Sequence, residues 1–275
     1  MEFRTIVDIE KPGFEIEPCE EMLFVGSCFA DNIGARFKEE KFRATVNPFG
    51  VMYNPASILH TVEKLSTVHS PLSTVKTAFF TLGTNHIYRL NETGEIVDNC
   101  QKRPQSLFTE EELTVDECAD YLQRAIDILR QHNPNVRVVL TVSPIRYRKY
   151  GYHGSQLSKA TLLLAVQKVI TNCPLSTINC QLSYFPAYEI VNDELRDYRF
   201  YAEDMLHPSS QAVEYIWQRL SEVYFSAETK TFLREWQPLK AALNHKPFNP
   251  DSQEPTSCSR GYPRRAPSCS PHYRY

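Results

Sequence analysis

Met22-Leu23-Phe24-Val25-Gly26-Ser27-Cys28-Phe29-Ala30-Asp31-Asn32-Ile33-Gly34 is the stretch whose reading decides the fold. Met22 to Val25 is a short, unbroken apolar run, the pattern of a strand covered on both faces. Gly26 ends it, and Phe29 to Phe37 reads as a helix. A buried strand turning sharply into a helix is the unit of an α/β domain with a mainly parallel sheet. The turn also carries two nucleophiles, Ser27 and Cys28, at a helix N-terminus. That position favours developing negative charge and lowers a thiol pKa. The bland alternative is that Ser27 caps the helix and Cys28 packs inside.

Outward from this turn the alternation repeats. Thr77 to Leu82 is a second buried run, ending at Gly83, and a Gly-Thr-Asn turn then leads into a hairpin through Asn91 to Gly94. Val115, Ala119, Leu122, Ile126 and Leu129 recur at helical spacing and predict an amphipathic helix over 115–130. Thr109 with Glu112, or Thr114 with Glu117, fits a capping box at its start. Val136 to Val142 is a further core strand, Ser158 to Ile170 a helix, and Ser176 to Phe185 contains another strand. Pro208 suits the first turn of a helix reaching Tyr224. A last helix over 227–243 is expected to bend or break near Pro238.

The chain has 275 residues, enough for one large α/β domain, which is assigned to residues 1–250. Residues 251–275 contain no Ile, Leu, Val, Phe or Met, cannot supply a packed face, and read as a disordered tail. A net charge of −3 and the lack of a basic cluster before the tail argue against nucleic acid as a partner. The N-terminus lacks a basic head followed by an apolar core, and no apolar run approaches the roughly 20 residues of a membrane span. The expectation is therefore a cytoplasmic protein with no membrane partner. Eight scattered cysteines without a Cys-x-x-Cys pair are poor zinc ligands and are expected to be free thiols. His60, His69, His86, His132 and His153 show no ligand spacing either, so neither metal nor cofactor is expected.

Three further segments carry chemistry. Asp204 and His207, three apart and just before a helix, can set an imidazole beside a nucleophile with a carboxylate orienting it. As a structural pair, Asp204 would simply cap the turn. Gly83 and Asn85 supply a backbone N–H and an amide at a strand end, natural donors to an oxyanion. Gly50, in Asn47-Pro48-Phe49-Gly50, reads as a loop turn or as another backbone donor. His86 is a rival base, read as a surface residue. Tyr198 to Tyr201 read as packing around the last strand.

At this point the residues resemble a known family. Gly26-Ser27-Cys28-Phe29-Ala30 spells the motif that names the GSCFA family. The stretches Asn47 to Pro55, Thr141 to Arg146 and Asp193 to Asp204 are similar to it too. That family is grouped with the SGNH (GDSL-like) hydrolases. The resemblance implies a three-layer α/β/α sandwich around a roughly five-stranded, mainly parallel sheet. It also puts the nucleophile turn on Gly26 to Cys28, the glycine block on Gly50, the Gly-x-Asn block on Gly83 and Asn85, and the Asp-x-x-His block on Asp204 and His207. SGNH enzymes carry Gly-Asp-Ser there, which by register selects Cys28, while a one-residue shift presents Ser27. The implied activity is ester chemistry on an O-acyl group, such as acetyl on a small molecule or glycan. The alternatives are an O-acyltransferase using the same acyl-enzyme, and a non-catalytic carbohydrate- or ligand-binding module.

Overall fold

The computed structural model describes residues 3–67, 72–98, 100, 103–173 and 181–244. Within them the chain runs β1 (Glu21–Gly26), α1 (Cys28–Glu39), β2 (Arg43–Val46), α2 (Pro55–Thr67) and β3 (Thr77–Leu82). Three short strands follow, β4 (His86–Leu90), β5 (Ile96–Val97) and β6 (Phe108–Glu112). Then come α3 (Val115–His132), β7 (Arg137–Val142), α4 (Gly151–Asn172), β8 (Leu182–Tyr184), a single turn α5 (Ala187–Glu189), α6 (Ser210–Tyr224) and α7 (Ala227–Asn244). The tail beyond 250 lies outside the described residues.

Five strands form one sheet in the order β2-β1-β3-β7-β8, every neighbouring pair parallel. The period of two divides its residues cleanly between two helix layers. Leu23, Val25, Phe80, Leu82, Val138 and Leu140 pack with Leu59, Leu122, Ile126 and Val166 of α2, α3 and α4. Met22, Phe24, Phe79 and Val139 pack with Phe29, Ile33 and Phe37 of α1 and with Ile216 and Leu220 of α6. Phe24 and Phe79 stack across the β1–β3 pair at 4.9 Å, and truncating a buried ring of this kind costs about 3–5 kcal/mol. This is the expected mainly parallel, five-stranded α/β/α sandwich. The β5-β4-β6 hairpin sheet is an antiparallel insert in the β3-to-α3 connection.

The strand order reverses at β1. From β1 the chain crosses one way to β2 and then back over to β3, so the carboxyl ends of β1 and β3 border a crevice at a topological switch point. Gly26 closes β1 there and Gly83 follows β3.

Several local readings are corrected. The capping box of α3 is Thr114 with Glu117, whereas Thr109 and Glu112 are paired in β6. Helix α6 begins at Ser210 with Ser209 as its cap, because Pro208 is bridged to Tyr201. Pro238 lies within α7, which continues through it as one helix. His86 is buried, stacked on Tyr150 at 3.6 Å, and burial lowers its pKa. Among the described cysteines Cys28, Cys100 and Cys118 are free, whereas Cys19 and Cys173 are each engaged in a separate disulfide, against the expectation of free thiols. Among the described residues no helix is long and apolar enough to cross a membrane, and no group of three or more His, Cys, Asp or Glu could hold a metal ion.

Candidate active site

Gly26 takes φ +146°, a conformation open to glycine but strained for other residues, and a Cβ there would collide with the Thr81 carbonyl. The turn is then locked from every side. Gly26 N–H donates to Asn47 Oδ1 at 2.9 Å, Ser27 N–H to Thr81 O at 3.0 Å, and Met52 N–H to Gly26 O at 2.8 Å. Asn47 is itself in the left-handed region and its Nδ2 donates to Asp31 at 2.7 Å. The Asn-Pro-Phe-Gly loop therefore clamps the Gly26–Cys28 turn.

Ser27 and Cys28 separate sharply in this frame. Ser27 is fully buried, its Oγ accepts from Phe29 N–H as the N-cap of α1, and the same Oγ lies 3.2 Å from Thr81 Oγ1. Cys28, the first residue of α1, is half-buried, with its Sγ 4.0 Å from the Tyr53 hydroxyl. Burial pushes the Cys28 thiol above its ordinary pKa, partly offset by the Tyr53 hydrogen bond. The depressed thiol expected from the helix N-terminus alone is therefore outweighed by desolvation. Burial, then the neighbouring Cys28, raises the Tyr53 phenol to about 12, so Tyr53 stays a neutral donor.

Asp204 and His207 occupy one turn between Tyr201 and Pro208. His207 Nδ1 lies 2.5 Å from Asp204 Oδ2, while Asp204 Oδ1 accepts from the Leu206 and His207 backbone N–H groups at 2.9 and 3.0 Å. These bonds, the His207 backbone N–H foremost, hold the Asp204 carboxyl down at about 2. With Nδ1 turned to the carboxylate, the imidazole carries its proton there and keeps Nε2 as the basic nitrogen. Arg146, beyond the end of β7, ties this turn to the sheet rim: its N–H donates to Leu206 O at 3.0 Å and its guanidinium to Met205 O at 3.1 Å. Both halves of the site thus stand at carboxyl ends of strands. No hydrogen bond joins Cys28 to His207 among the described residues.

The three expected oxyanion donors have other partners. Gly50 N–H donates to Asn47 O and Gly83 N–H to Tyr53 O, both at 2.9 Å. Asn85 is buried and its amide donates to Leu113 O at 2.8 Å, closing the base of α3. The group that stands beside Sγ is Tyr53, which the sequence reading missed although it lies inside the Asn47-to-Pro55 stretch. Two more were missed. Tyr147 covers Gly83 so closely that a Cβ there would strike its hydroxyl. Lys159, fully buried, donates to Gly83 O at 2.6 Å and Ser143 O at 2.8 Å, and burial lowers its ammonium to about 7. A lysine on the buried face of α4, between Ser155 and Leu162, was the available signal.

Comparison with solved structures returns low-identity similarities. A lipolytic protein of the G-D-S-L family from Veillonella parvula is 12% identical, over 74% of this chain and 98% of that one, with TM-score 0.48. A family two carbohydrate esterase from Clostridium thermocellum is 12% identical, over 75% and 64%, with TM-score 0.45. A carbohydrate esterase family 3 structure from Talaromyces cellulolyticus is 11% identical, over 81% and 99%, with TM-score 0.40. No curated protein sequence matches the chain. The GSCFA family matches residues 21–68 and 61–220, spanning the whole five-stranded sheet, and the chain belongs to that family.

Proposed function

We propose that the chain is an acyl-ester hydrolase that works through a thioester on Cys28. The observation that carries this reading is the contrast within the turn: Ser27 is buried as a cap, and Cys28 is a half-buried thiol at a helix N-terminus. His207 Nε2 takes the thiol proton as Sγ bonds to the acyl carbon, and Asp204 stabilises the imidazolium. The Tyr53 hydroxyl and the N-terminus of α1 supply hydrogen bonding and positive potential to the oxyanion. Collapse breaks the ester C–O bond, and His207 returns its proton to the departing alcohol. Water then attacks the thioester, losing a proton to His207, and acid is released as the thiol is restored. Because the thiol rests protonated, the reaction needs this base. His207 therefore has to come within about 3–4 Å of Sγ or its substrate-bound equivalent.

The test is a panel of p-nitrophenyl acyl esters and acetylated sugars, with mass spectrometry for an acyl adduct. The wild type should turn over and carry the adduct on Cys28. Cys28→Ala should lose both, and Ser27→Ala should keep the chemistry. Full-rate hydrolysis by Cys28→Ala, or an adduct on another residue, overturns the assignment.

A further inference from the structure

Tyr53 and Tyr147 line a cavity of about 370 Å³ between the sheet rim and the β4–β6 insert. Small-ligand sites run to roughly 300–1,000 Å³ and combine aromatic walls with a few polar groups. Here the aromatic wall comprises Tyr53, Tyr88, Tyr147 and Tyr150, with His86 stacked on Tyr150. The cavity and the candidate site share Tyr53, which lines the cavity and whose hydroxyl is the one 4.0 Å from Cys28 Sγ. The five-stranded sheet is complete without the insert, which contributes His86, Tyr88, Val97 and the adjoining Asp98 to this wall.

The charged groups lining the cavity, Asp98 and Lys149, are already paired with neighbours outside it. Lys149 Nζ lies 2.8 Å from Glu110, and Asp98 holds His60 at 2.7 Å and Lys64 at 2.8 Å. What is left over is neutral. Tyr147 Oη and His86 Nδ1 are buried with no hydrogen-bond partner among the described residues, the nearest carboxylate oxygen to Nδ1 being that of Glu110 at 3.5 Å. A buried polar atom left unsatisfied costs about 1–3 kcal/mol; both atoms lie beneath the cavity wall, and a turn of either side chain would bring them to a ligand hydroxyl and recover that cost. Unpaired neutral donors and acceptors among aromatic faces suit a ring with apolar C–H faces and hydroxyl edges. They do not suit an anion or a cation.

We propose that this cavity is the subsite for the alcohol portion of the ester, and that it takes a neutral, hydroxyl-bearing ring of the sugar class. The ring stacks on the tyrosine faces, with His86 and Tyr147 hydrogen-bonded to its hydroxyls. Its place in the reaction rests on the hydrolase reading above, but its binding does not.

The test is ligand-observed saturation-transfer NMR on full-length Cys28→Ala protein, which cannot turn over. The probes are the methyl β-glycosides of glucose, galactose and xylose, with glucuronate and glucose 6-phosphate as anionic comparisons. At least one neutral glycoside should receive saturation, more strongly than either anion. His86→Leu and Tyr147→Phe, each added to Cys28→Ala, should weaken its binding about five-fold, the loss of one hydrogen bond. Tyr147→Phe keeps the ring and its packing, so it decides the matter if His86→Leu does not fold. No binding of any neutral glycoside, preference for an anion, or binding indifferent to both variants overturns the proposal. Sugar binding with these dependences, in a protein whose wild type cleaves no ester, would sink the hydrolase reading and leave the sugar site standing. Ester cleavage without sugar binding would do the reverse.

Discussion

The turn after β1 and the turn before α6 carry the two halves of the candidate site, and they are held in opposite ways. At Gly26–Cys28 the restraints are long-range: Asn47, Met52 and Thr81 reach it from two other segments, and Ser27 is fully buried. At Asp204–His207 the restraints are local, a carboxylate bonded to its own turn, with the Asp204 and His207 side chains 44% and 39% exposed. Arg146 provides its tie to the rim. On the proposed reading a nucleophile must be aimed within a fraction of an ångström, which fits a turn anchored to the core. The proposed base sits in a locally bonded, exposed turn, where the Asp204 bond orients it.

If this contrast is right, substitutions in the first turn lower stability and those in the second lower activity alone. Gly26→Ala should have the largest effect. It forces a strained φ and drives a methyl into the Thr81 carbonyl, so a loss on the order of 4 kcal/mol is expected. At about 2–4 °C per kcal/mol that lowers Tm by roughly 10 °C in a thermal melt, and an unchanged melt would break the comparison. Asn47→Ala comes next, because it strands the buried Gly26 N–H at a cost of about 1–3 kcal/mol, readable in urea titration. Ser27→Ala removes a cap and should cost about 1 kcal/mol, with ester turnover retained. If Ser27→Ala abolished turnover at wild-type stability, Ser27 and not Cys28 would be the nucleophile.

The asymmetry between the turns also explains what the sequence made legible. Strands β1, β3 and β7 are buried on both faces, so each announces itself as an apolar run, and the sheet could be read from them. Edge strand β2 alternates exposed and half-buried residues, Arg43 to Val46, and carries no such run. The π-helix Ile190–Leu195 differs from an α-helix in hydrogen-bond register, which composition does not encode. At the candidate site, Gly26, Cys28, Asp204 and His207 could be singled out as candidates because each stands in a local motif. The partners of the expected oxyanion donors could not. Whether Gly83 or Asn85 has a free N–H depends on Tyr53 O and Leu113 O, partners about 30 residues away that only the folded chain brings near. Tyr53 and Lys159 were hidden for the same reason.

The smallest effect on stability is expected at the second turn, and it is the sharpest check on the contrast. His207→Ala removes a half-exposed side chain held by its own turn, so stability should stay within about 0.5 kcal/mol of wild type while ester turnover collapses. Asp204→Asn should do the same through a different cause, since an amide cannot hold the imidazolium. The pH dependence fixes the sign. Asp204 sits at about 2 in the folded chain, below the ordinary carboxylate value of about 3.9. Its stabilising contribution is therefore complete above roughly pH 4 and is lost as pH falls through about 2. Solvent around this exposed turn screens the contribution, so it is small. In a His207→Ala background, where no imidazole titrates beside the carboxylate, Asp204 and Asp204→Asn proteins should have parallel stability curves from pH 5 to 8 that converge on acidification. A difference between them that opened near neutral pH would mean that the turn is stabilised by more than its own hydrogen bonds. The base would then be as deeply built into the fold as the nucleophile.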